Sequence, residues 1–276
     1  LDWTDADTDG VWDDGEGEEW TVTNETGVYT FRNDVSDATL VSMGGTDIST
    51  GELFNGVLMA LPGDSVIKPL TTITTAIVKS KIKEALEAGG SAPTPEQLKT
   101  FASDAKAQVI KSFDIPAGIE LGSYDPFKVL DEDSSSTEAD KDAALAVQKV
   151  AASIANVLIA VGQGADNPAA RVDALNSVMD NFAAKIKAAG DAPLDLADAT
   201  TLEAIVQNVS LGSHSVEKLK TFNKSVKEAS DLKAIITTQG EIGHADLGEP
   251  VKMSITEAIA TGISAQEVDS VKVDLS

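Results

Sequence analysis

The chain has no cysteine, two histidines and only two arginines, Arg32 and Arg171, among 276 residues. Missing thiols exclude disulfide staples, thiol nucleophiles and cysteine-ligated zinc. Basic residues are scarce: 21 Lys and Arg stand against 45 Asp and Glu, a net charge of -24 with a pI near 4.2. Such a chain repels phosphate and lacks the cationic surface that releases counterions, so nucleic acid is excluded as a partner. There is no signal peptide and no apolar run near 18 residues, which predicts no membrane span. Aromatics are only 4%, so the sequence gives little to mark a ligand groove. What is present is an ordinary hydrophobic fraction of 42%, enough for a packed core despite the charge. The length suits one large or two modest domains.

The acidic charge is uneven. Residues 1–37 hold 12 acidic residues and one Arg, a net of -11, and the other 239 hold 33 acidic and 20 basic, a net of -13. Texture changes again near residue 70. Before it, short strands and turns are expected: residues 19–23 and 28–31 flank Asn24-Glu-Thr-Gly27 as a hairpin, 38–43 is a strand, 44–51 a glycine-rich loop, and 54–61 and 65–67 are strands split by Pro62-Gly63. After Pro69 the apolar period becomes helical. Helices are expected over 71–88, 95–113, 137–161, 168–189, near 202–209, and over 216–237. Short glycine-bearing links between them describe an antiparallel bundle. The fold class is therefore α+β: a small N-terminal β-unit over 1–68, a predominantly α-helical antiparallel bundle over 69–262, and a linker or strand over 263–276. The abrupt start and the alternating tail are expected of a piece cut from a longer polypeptide.

One motif carries chemistry. Asp5-Ala-Asp7-Thr-Asp9-Gly10-Val11-Trp12-Asp13-Asp14-Gly15-Glu16 matches the twelve-residue calcium loop at each diagnostic position. Asp5, Asp7 and Asp9 stand at positions 1, 3 and 5. Gly10 allows the sharp turn at position 6, and Val11 offers a carbonyl at position 7. Asp13 can act through water at position 9, and Glu16 can close the sphere with both oxygens at position 12. Calcium takes six to eight hard oxygens at about 2.3–2.6 Å, and alternate residues of a tight loop can all point inward. The bland alternative is an acidic solvated linker, but Gly10 and Glu16 at those positions are uncommon in one. Because 18–31 reads as a hairpin and four residues precede the loop, this is an EF-like loop in a β context, not a helix–loop–helix switch.

Weaker metal candidates are Asp47 before Glu52, and Asp125, Asp131 and Asp133, although Ser135-Ser-Thr-Glu138 reads better as a helix capping box. His214 reads as a loop or cap residue, and His244 sits in a glycine-containing loop. There is no nucleophile elbow, no phosphate-binding loop, no dinucleotide fingerprint and no zinc-protease helix, so no catalytic constellation emerges. Trp3, Trp12 and Trp20 crowd the acidic start, where packing around the loop is the plainer reading. A weak internal echo links Glu96-Gln-Leu-Lys-Thr-Phe101 to Glu217-Lys-Leu-Lys-Thr-Phe222.

The acidic loop followed by Gly15-Glu16 and Thr26-Gly-Val-Tyr-Thr-Phe31 resembles the calcium-binding β-modules of bacterial surface proteins, including staphylococcal B-type repeats. Gly44-Gly45-Thr-Asp47 with Val66-Ile-Lys-Pro-Leu-Thr-Thr72 is similar to segments of very large secreted adhesin-like proteins of Gram-negative bacteria. The resemblance spans roughly residues 1–130. It implies an extracellular or cell-surface module, stabilised by calcium, without enzyme activity and with a structural or adhesive role. Its partners would be calcium and neighbouring modules or copies of itself. Two other readings stand beside it: a module that recognises a peptide or glycan, and a self-assembling subunit whose tail adds a strand to a neighbour.

Overall fold

A computed structural model describes residues 2–5, 18–25, 27–33, 35, 38–89, 92–131, 134–165, 168–211 and 215–244. The linker or strand expected over 263–276 lies outside them. The architecture is α+β, mostly helical with a small antiparallel sheet.

Four strands, β1 (Asp2–Asp5), β2 (Trp20–Thr21), β3 (Thr39–Met43) and β4 (Val57–Ala60), form one sheet in the order β2-β1-β3-β4. Every pairing is antiparallel, with Trp3 opposite both Trp20 and Val41, and Val41 opposite Met59. Asn24-Glu-Thr-Gly27 does turn the chain, with Gly27 at a positive φ of 77° and Asn24 Oδ1 accepting the Val28 amide at 3.0 Å. The strands expected on both sides of that turn do not pair with each other. β2 pairs instead with β1, across residues 6–17. Residues 65–67 are not a strand either, because the Ser65 amide bonds the Gly122 carbonyl outside the sheet at 2.8 Å.

The helices are α1 (Pro69–Glu87), α2 (Pro95–Ser112), α3 (Pro126–Leu130), α4 (Glu138–Gly164), α5 (Pro168–Ala189), α6 (Ala199–Ile205), α7 (Val216–Glu228) and α8 (Leu232–His244). Their starts follow local chemistry. Proline occupies the first turn of α1 and α2, where its missing amide costs nothing. Thr94 and Gln97 form a reciprocal capping box on α2. On α4 the box is Thr137 with Asp140, two residues later than Ser135 and Glu138 would place it. The single helix expected over 216–237 is two helices. Asp231 accepts the Ala234 amide at 2.9 Å and starts a new helix after Ala229 turns extended.

The sheet and the helices share one apolar core. Val41 and Met59 belong to the same buried cluster as Ile73, Leu158, Phe182 and Leu219. α4 is the hub and packs against α1, α3, α5, α7 and α8. It is long and apolar enough to cross a membrane, but 78% of that stretch is buried among its neighbours, as befits a central core helix. The apolar stretch is thus longer than the sequence reading allowed. Close packing shows at Gly162, where a Cβ would stand 2.1 Å from the Asn55 carbonyl oxygen.

The joint between β4 and α1 is made by hydroxyls. Thr72 accepts the Met59 amide at 2.8 Å, and Thr71 donates to the Met59 carbonyl at 2.8 Å. Both threonines are fully buried. These bonds occupy the amide and carbonyl that Met59 turns away from β3.

Candidate functional site

The sequence points to residues 5–16, so the site is built from what frames them. Asp5 ends β1, with its backbone opposite Thr39 of β3. The positions of Asp7, Asp9, Val11, Asp13 and Glu16 lie outside the described residues, as does the Asp5 side chain. The chain resumes at Glu18, which is buried, and Glu19. There the Thr4 amide donates to the Glu19 carbonyl at 2.9 Å, and the Glu19 amide donates to Thr4 Oγ1 at 2.8 Å. The ladder continues through Trp3 opposite Trp20 and Asp2 opposite Thr21. Loop positions 1 and 12 therefore fall one residue beyond Thr4 and three before Glu19. Thr4 and Glu19, which flank the loop on its two sides, thus meet in one hairpin.

The frame holds acidic groups that the motif search did not single out. Asp2 is 1% exposed, and its carboxylate accepts the Thr23 hydroxyl. Glu19 accepts the Asn33 amide at 3.2 Å. Burial, and then the charges of Asp2 and Asp64, hold the Tyr29 phenol above its usual value. Tyr29 thus lies near both the first strand and the turn after β4. Nothing in sequence spacing marks Asp2 or Glu18 as interior. An acidic run reads as solvated surface, and their burial follows from β1 lying between two strands.

The other candidates dissolve into local structure. Asp47 Oδ1 accepts the Ser49 amide at 2.8 Å and its hydroxyl at 2.6 Å, a turn closed by its own carboxylate. Asp125 caps α3 through the Phe127 amide and pairs with Lys68 at 2.9 Å. Asp131 follows the last residue of α3, and Asp133 and His214 lie outside the described residues. His244 is the last residue of α8 rather than part of a loop. Among the described residues no group of three or more His, Asp or Glu is placed to hold a metal.

One open groove of about 390 Å³ runs between α1 and α5. Its floor includes Met59 and Met179, and its rim carries Lys79 and Lys83 against Glu87 and Asp180. The mixed rim selects no sign of ligand charge. Its lining carries no Ser, Thr, Tyr or His.

Compared with family models, curated proteins and solved structures, the chain matches none.

Proposed function

We propose that this chain is a non-enzymatic, calcium-stabilised structural or adhesive module of a large extracellular bacterial protein, in which the EF-like loop of Asp5, Asp7, Asp9, Val11, Asp13 and Glu16 binds one calcium ion. The observation that carries the reading is the pairing of β1 with β2. A calcium loop needs its first and twelfth residues side by side, since both ligate the same ion. The β1–β2 hairpin draws together the chain before and after the loop, at Thr4 and Glu19, which supports the reading because a loop closed at its stem loses less entropy on binding. An uncompensated run of carboxylates at a hairpin mouth repels itself, and a divalent ion reverses that repulsion. Counted by charge, the ion takes residues 1–37 from -11 to about -9. β1 is an inner strand, so order gained in the loop supports a strand on each side of it.

Extracellular calcium modules bind at about 10⁻⁴–10⁻³ M. At a hundredfold excess over the dissociation constant, binding to the folded state alone adds about 2.7 kcal/mol. Titration calorimetry on the chelated chain should show binding heat, and the melting temperature should rise with calcium. Glu16→Gln, which removes the bidentate ligand, should abolish both. A melting transition that ignores calcium, with no heat of binding, rejects the reading.

A further inference from the structure

Asn55 is the one asparagine of nine that precedes a glycine. In an Asn–Gly pair no Cβ shields the following backbone nitrogen, so that nitrogen reaches the side-chain amide more easily than in any other pair. We propose that Asn55 is a self-modification site, a deamidation switch gated by opening of the seam between the sheet and α4.

The fold itself keeps the labile pair in place. A Cβ on residue 56 would stand 2.5 Å from Cζ of Phe54, whose ring packs on the core. Position 56 therefore favours glycine for reasons of packing. Asn55 is 4% exposed, and its carbonyl oxygen sits in the notch that Gly162 leaves in α4. The Gly56 carbonyl accepts the Gly44 amide at 3.3 Å, which anchors the next peptide to the loop after β3.

The chemistry is intramolecular. The Gly56 backbone nitrogen loses its proton to solvent base and attacks Cγ of Asn55. The Cγ–Nδ2 bond breaks and ammonia leaves, which closes a five-membered succinimide. Water then opens the ring at one of its two carbonyls and yields aspartate or, predominantly, iso-aspartate. Ring closure requires the main chain at Asn55 to turn, and hydrolysis requires water at one of the two ring carbonyls, the backbone one for iso-aspartate. The packed seam denies both. Reaction therefore proceeds from the open state, and its rate in the folded chain scales with the open fraction. Iso-aspartate adds one atom to the main chain where the Asn55 carbonyl meets Gly162. A contact with no room for a methyl group has no room for that atom, so a transient opening becomes permanent.

The test uses the full chain at mildly alkaline pH, folded and in denaturing urea. Conversion is read by peptide mass spectrometry, as the exchange of NH₂ for OH and the appearance of iso-aspartate. In urea, Asn55 should convert ahead of the other eight asparagines, and Gly56→Ala should remove that lead. In the folded chain, conversion of Asn55 should be at least about tenfold slower, because only the open fraction reacts. Gly162→Ala, which wedges the seam, should raise the folded-state rate. A second readout needs no variant: in urea too dilute to unfold the chain, the rate should climb with urea, as opening exposes surface. Equal rates in folded and unfolded chains, another asparagine leading in urea, or a folded-state rate indifferent to dilute urea would each overturn the proposal.

Discussion

Asp64 and Lys106 meet at 2.8 Å with side-chain exposures of 3% and 25%. Asp64 also accepts the Leu61 amide at 3.3 Å, and Lys106 reaches Glu120 at 3.2 Å. Gly122 closes over the pair, since a Cβ there would lie 1.9 Å from Asp64 Oδ1. Burial alone would lower the Lys106 ammonium; the hydrogen bond and charge of Asp64, and then those of Glu120, outweigh it and hold the group above its usual value. Lys106→Met strands a buried carboxylate. Breaking a fully buried pair costs about 3–5 kcal/mol, and the partial exposure of Lys106 brings the expected loss in urea unfolding to about 2 kcal/mol. The pH dependence has a definite sign. Lys106 and Tyr29 both hold their protons more tightly in the fold than in the unfolded chain. Their contribution is complete below about pH 10 and fades as pH rises through the folded values. Alkaline titration of stability should therefore fall less steeply for Lys106→Met than for the parent chain. None of this was legible in the sequence. Asp64 and Lys106 are 42 positions apart, and a lone aspartate after Pro62-Gly63 reads only as a turn residue.

Elements were legible where one local rule settled them. Apolar residues at helical spacing gave the long helices, and the helix expected from Pro95 does begin there. The misses came where two local rules competed. In residues 216–237 the apolar period runs on through Val226, Ala229 and Ile235, all buried in one small cluster, so it masked the Asp231 cap. The hairpin around Asn24 was expected to pair its own flanks. β2 found β1 instead, a partner separated by a loop too long for turn statistics to predict. The threonines that open α1 were readable as helix but not as a clasp on β4. That clasp is testable: Thr72→Val leaves the buried Met59 amide without its acceptor, which costs about 1–3 kcal/mol. Hydrogen exchange at Met59 should accelerate relative to Val41, whose pairing is untouched. Unchanged protection at Met59 would show that the hydroxyl bond contributes nothing.

At the scale of the molecule, the division near residue 70 is a change of texture across which the apolar core continues. Val41, Met59, Ile73, Leu158 and Ile242 belong to one buried cluster, and α1 packs on both β4 and α4. All three tryptophans stand at positions 3, 12 and 20, so indole fluorescence reports the sheet end while far-ultraviolet dichroism reports the helices. The two probes should trace one coincident transition in urea. Separated midpoints would mean that the sheet end melts alone. The proposed calcium loop is readable from sequence because its candidate ligands are contiguous. Its setting is not, because burial of Asp2 and Glu18 depends on strands brought from elsewhere. The sealed edge of β4 has a further consequence for assembly. A fibre built by edge-to-edge pairing needs every subunit to offer two docking rims, one to receive and one to extend. Here Thr71 and Thr72 occupy the Met59 groups on one rim, and α1 packs against that strand. Among the described residues, strand addition to this sheet is therefore expected at the β2 side, where no such clasp is formed.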